Sequence, residues 1–176
     1  MTDTQKRLAS DYQLSVPTDD PSFTITQTFK APRELVWDCY TKPKHMTQFW
    51  GPYGSTTPVC EVDLKPGGVW RTVMRFESGD EYPYASVYVE IDPPERLVYR
   101  DAPYDRKGGL EGLPPVEFES TILLTEEGGR TRMTLTVRCP SIAFRDTQVQ
   151  QGFGEMVKVG NERMTLYLEK LQGSDL

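Results

Sequence analysis

The chain is short of the residues from which metal and nucleophile chemistry is built. Its 176 residues include one histidine, His45, and three widely spaced cysteines, Cys39, Cys60 and Cys139, with no CxxC pair. A structural zinc site takes about four such ligands and a disulfide framework takes an even set, so neither is expected. The three cysteines are therefore read as reduced thiols, buried rather than reactive. No GxGxxG, P-loop or HExxH pattern occurs, and Gly67-Gly68, Gly108-Gly109 and Gly128-Gly129 are read as turn glycines rather than phosphate cradles. An excess of cations is missing too. Lys and Arg total 20 against 26 Asp and Glu, a formal charge of -6, which argues against nucleic acid or an anionic membrane surface as partner. No apolar run approaches the roughly 18 to 20 residues of a membrane span, and Met1 to Pro21 is polar without a signal-like core. A soluble, cytoplasmic protein is expected, monomeric or homodimeric.

What is present is strand and helix patterning. Residues 1–22 are rich in Thr, Asp, Ser and Gln without periodicity and predict a mobile N-terminal leader; order is expected from Phe23, in one domain over 23–173. Phe23, Ile25 and Phe29 share the parity of a half-buried strand. Ala31-Pro32 ends it, and Glu34 to Tyr40 has helical spacing until Pro43, followed by a second short helix from Lys44 to Phe49.

From Ser55 the period switches to two. Strands are expected at about Thr56 to Leu64, Gly68 to Glu77, Tyr82 to Asp92, Arg96 to Asp101, Val116 to Glu126 and Arg130 to Cys139. Most connectors are short and rich in Gly or Pro, as antiparallel hairpins require. The stretch from Ala102 to Pro115 is too long for a tight turn and is the candidate lid.

The amphipathic stretch from Arg145 to Leu171 predicts one long helix. At about 100° per residue, Val149, Phe153, Met156, Gly160, Met164, Tyr167 and Leu171 share a face that must pack on the sheet. Gly160 in that stripe costs about 1 kcal/mol of helix stability relative to alanine, so it wants a reason. Close packing against the sheet is favoured over space kept for a ligand.

Strand, two short helices, six antiparallel strands and a long C-terminal helix together resemble the helix-grip fold, an α+β architecture. The stretches Phe29-Lys30-Ala31-Pro32-Arg33-Glu34-Leu35-Val36-Trp37, Phe49-Trp50-Gly51-Pro52, Lys65-Pro66-Gly67-Gly68-Val69-Trp70-Arg71, Pro93-Pro94-Glu95-Arg96-Leu97-Val98 and Gly128-Gly129-Arg130-Thr131-Arg132 narrow the resemblance. They look like the bacterial proteins related to the C-terminal domain of the activator of Hsp90 ATPase, within the START and Bet v 1 superfamily. Where the family pattern carries a Gly-Trp pair in the last helix, this chain has Met156-Val157.

The resemblance implies a pocket between sheet and helix. Strand parity turns Trp70, Thr72, Met74 and Phe76 inward, and Trp50, Tyr88, Phe118, Phe153, Met156, Val157 and Gly160 complete the candidate ligand-binding set. Such a wall suits a small hydrophobic or aromatic molecule, with no metal and no cofactor. An enzyme of cyclase or proton-transfer type using the same cavity is the first alternative, and a chaperone-modulating adaptor the second. His45 is read as a surface or helix-packing residue rather than an acid or base. Glu61, Asp63, Glu90 and Glu117 are acidic candidates only if one faces the pocket.

Overall fold

The computed structural model describes residues 11–103 and 118–173. The elements in chain order are β1 (Gln13–Ser15), β2 (Ser22–Phe29), α1 (Arg33–Thr41), α2 (Pro43–Phe49), β3 (Ser55–Val62), β4 (Val69–Phe76), β5 (Glu81–Asp92), β6 (Arg96–Pro103), β7 (Phe118–Glu127), β8 (Arg130–Arg138), α3 (Ile142–Gln150) and α4 (Phe153–Gly173). The strands form one antiparallel sheet in the order β1-β2-β8-β7-β6-β5-β4-β3. From β3 to β8 neighbours in sequence are neighbours in space, through short connections except between β6 and β7. The exception is β2, which crosses to β8 with Phe23 opposite Val137 and Phe29 opposite Thr131.

Alternation is clearest in β2 and β8. Phe23, Ile25 and Phe29 on β2 and Met133, Leu135 and Val137 on β8 point into the core, while Thr and Arg residues take the other face. Against this inner face pack Val36, Trp37 and Cys39 of α1, Met46 and Phe49 of α2, and Met164 and Leu168 of α4. This is the α+β helix-grip fold.

Two expectations are corrected. The chain is already ordered before Phe23: Gln13, Leu14 and Ser15 pair with Thr26, Ile25 and Thr24, and the Tyr12 hydroxyl donates to the Gly154 carbonyl at 2.7 Å. Composition concealed this because an exposed edge strand needs no alternating apolar residues. Arg145, only 3% exposed, holds the same segment by donating to the carbonyls of Pro17 and Asp20. The C-terminal amphipathic stretch, secondly, is two helices. Gln151 and Gly152 separate α3 from α4, and Gly152 takes a φ of 88°, a left-handed conformation suited to a residue without Cβ. Of the expected lid, Ala102 and Pro103 close β6; the rest, through Pro115, lies outside the described residues.

Candidate functional site

The sheet and α4 do not meet everywhere. Between them lies a cavity of about 150 Å³, the size that accommodates a benzene-like group. Its roof is the first half of α4, through Phe153, Met156, Val157, Gly160 and Asn161. The sheet supplies the floor: Met74 of β4, Tyr84 of β5, Tyr99 of β6, Phe118 and Ile122 of β7, and Met133 and Leu135 of β8. Tyr40, Phe49, Trp50 and Gly51 close one side. Met156 is 49% exposed and marks the rim. None of these lining residues carries a charge.

One wall is an aromatic corner. Trp50 stands edge-on to Trp70 with ring centroids 4.5 Å apart, and Trp70 in turn meets Tyr84 and Tyr99 at 5.7 and 5.6 Å. Such T-shaped contacts align positive ring edges with negative faces and hold the rings in fixed poses. Trp50 is itself positioned from α4. Arg163 Nη1 reaches the carbonyls of Trp50, Gly51 and Pro52 at 3.2, 2.7 and 2.9 Å, satisfying backbone acceptors left where α2 ends. On the opposite wall Phe153 lies edge-on to Phe118 at 6.0 Å and to Phe23 at 5.2 Å.

Residues 30–172 match the family model described as Activator of Hsp90 ATPase homolog 1-like protein. The chain belongs to this family. Compared with curated proteins it has no match. Among solved structures, a protein from Mycobacterium smegmatis superposes with a TM-score of 0.79 at 24% identity, covering 90% of this chain and 98% of that one. A protein from Nitrosomonas europaea gives 0.77 at 22% identity, covering 89% and 99%. A family member from Silicibacter pomeroyi gives 0.66 at 16% identity, covering 84% and 97%. At these identities the likeness concerns the fold, which hosts many unrelated functions.

Within this Hsp90-activator-like fold the residues singled out from sequence separate into two groups. Trp50, Met74, Phe118, Phe153, Met156, Val157 and Gly160 border the cavity. Trp70, Phe76 and Tyr88 do not. Trp70, 3% exposed, stands behind Trp50 as its support. Phe76 packs on Tyr82 at 5.3 Å toward the end of its hairpin. Tyr88 is 1% exposed and belongs to the solid core. Strand parity put buried Trp70 and Thr72 on the inner face but carries no information about distance along the strand. Sequence reasoning passed over Tyr40, Phe49, Gly51, Tyr84, Tyr99, Ile122, Met133, Leu135 and Asn161, although Tyr84 stands four residues before Tyr88 on the same strand and so shares its parity. Asn161 gave no apolar signal at all.

The close-packing account of Gly160 is corrected as well. A Cβ added there would meet no atom within 4 Å, so the glycine borders empty space. Close approach occurs instead at Gly154, where a Cβ would lie 3.1 Å from Leu14 and 3.2 Å from the Tyr12 hydroxyl.

Titratable groups stand away from the cavity or are neutralised by burial. His45 is 8% exposed, its Nδ1 2.8 Å from the Tyr167 hydroxyl, and burial together with the Lys44 charge lowers its pKa. Of the two roles expected for it, helix packing is the one the structure shows. Burial pushes the Cys39 thiol up to about 12 and the Cys60 thiol up to about 11, which keeps both protonated and poorly nucleophilic. Asp63 pairs with Lys65 at 2.9 Å and Glu90 with Arg96 at 3.0 Å on the outside, and Glu61 faces Arg71 at 3.9 Å. Glu117 lies outside the described residues. Among the described residues no cluster of His, Cys, Asp and Glu could hold a metal ion, and no helix is long and apolar enough to cross a membrane.

Proposed function

We propose that the protein binds a small hydrophobic or aromatic molecule in the space between α4 and the sheet. The observation that carries this reading is Gly160. A helix interior normally avoids glycine, and here the missing side chain leaves the middle of the cavity roof open rather than admitting a neighbouring backbone. The uncharged lining favours a neutral apolar guest, because burying an unpaired charge there would be costly.

The test fills the space. Gly160→Leu places a side chain where nothing stands, so thermal stability should change little while binding of a hydrophobic guest, followed by native mass spectrometry of co-purified small molecules, falls at least about tenfold. A Gly160→Leu protein that is folded and retains its guest would sink the proposal.

A further inference from the structure

Among the described residues Asn161 is the one side-chain amide on the cavity wall. It is 5% exposed, follows Gly160 on the cavity side of α4, and its Nδ2 has no hydrogen-bond partner among the described residues. Three other polar side chains on this helix are engaged: Thr165 donates to a backbone carbonyl, Arg163 to three, and Gln172 to two. A buried donor without an acceptor gives up its hydration for no hydrogen bond in return, whereas an apolar residue at the same place would lose nothing of the kind. The terminal torsion of an asparagine is soft, so a small rotation aims its N–H groups into the adjoining space.

We infer that Asn161 is the polar anchor of the cavity and that the guest is an uncharged aromatic molecule carrying a carbonyl oxygen. This rests on the binding reading given above and narrows the class of ligand. An amide N–H₂ complements an acceptor, and a carbonyl oxygen accepts through two lone pairs without bringing a donor that the apolar wall would leave unpaired. A carboxylate is disfavoured: among the described residues no lining side chain is cationic, and the nearby Arg163 spends its Nη1 on the carbonyls of Trp50, Gly51 and Pro52. The ring of the guest lies against Trp50, Tyr84 and Phe153, and its oxygen turns to α4.

Acetophenone and α-methylstyrene test this as a pair, since they differ in shape only by oxygen against a methylene group. In a ¹⁵N-resolved NMR titration of the whole protein, acetophenone should bind at least as tightly as α-methylstyrene, despite the hydration it gives up. The Asn161 side-chain NH₂ resonances should move with the ketone and not with the alkene. Asn161→Leu should weaken acetophenone roughly three- to tenfold, the range of one net hydrogen bond, and leave α-methylstyrene within about twofold. Preference for the alkene in the unaltered protein, an unmoved Asn161 amide, or equal losses for both probes in the variant would each overturn the anchor while leaving the binding reading intact. Failure of both probes to bind would overturn the two together. Should Asn161→Leu not fold, the two measurements on the unaltered protein decide.

Discussion

Over its later turns α4 presents Met164 and Leu168 to the sheet, 0% and 2% exposed, whereas over its earlier turns it presents Val157, Gly160 and Asn161. The sheet offers large side chains both under the cavity, through Met133 and Leu135, and elsewhere in the core, through Leu97 and Leu124. The hollow therefore comes from the helix. A run of valine, glycine and asparagine lacks the volume that methionine and leucine supply, and the rest of the layer is too well braced to collapse onto it. Edge-to-face rings around Trp70 and the Arg163 clasp on Trp50 supply the bracing.

The contrast is broken most directly by truncation at each end. Met164→Ala should cost about 2–5 kcal/mol in urea unfolding, because it opens a new void in a filled layer. Val157→Ala, beside space that already exists and with a gain in helix propensity, should cost under about 1 kcal/mol. Equal losses would mean that the first half of α4 is packed in solution as tightly as the second.

Next in size is the clasp. Arg163→Met keeps most of the aliphatic stem but takes from the Gly51 carbonyl its hydrogen bond, while Trp50 and Pro52 keep the Thr57 and Ser55 hydroxyls as donors, and should lower stability by about 1–2 kcal/mol in the same experiment. A loss below about 0.5 kcal/mol would show that water replaces the guanidinium there and that Trp50 is held by its rings alone.

The smallest effect sharpens the account of the packed end. His45 has a folded-state pKa lowered by burial, so the unfolded chain binds the proton more readily. Its contribution is fully present above the ordinary imidazole value of 6.5 and is lost as pH falls through the lowered one. Melting temperatures from pH 7.5 to 5 should therefore decline more in the parent than in His45→Gln. Parallel declines would place the imidazole in water rather than against Tyr167.

The order of elements was legible because it rests on local signals. Prolines and glycines mark the turns, and alternation in β2, β4 and β8 gives the inward face directly. The details of α4 were not legible, for two physical reasons. Counting helical phase from Val149 carries it across Gly152, where the helix stops, so the inward stripe, with Asn161, Met164 and Leu168 buried and Val157 partly buried, is displaced from the one expected. A hydrophobicity pattern, moreover, assigns asparagine to the outside, and Asn161 is inside. Gly160 was noticed for its cost to the helix, but one chain cannot distinguish glycine that admits a neighbour from glycine that leaves room; only the geometry does. β1 escaped notice because its residues pair through backbone groups alone.

The placement of β2 in the sheet bears on how the chain is made. Phe23 finds its partner at Val137 and Phe29 at Thr131, so β2 leaves the ribosome more than 100 residues before its neighbouring strand. At about 5–20 residues per second that interval lasts on the order of 5–20 s. Throughout it Phe23, Ile25 and Phe29, fully buried in the finished molecule, have no sheet to enter. The strands from β3 to β7 emerge in turn beside their neighbours while β2 waits, and the nascent chain carries an unsatisfied sticky segment until β8 has been made.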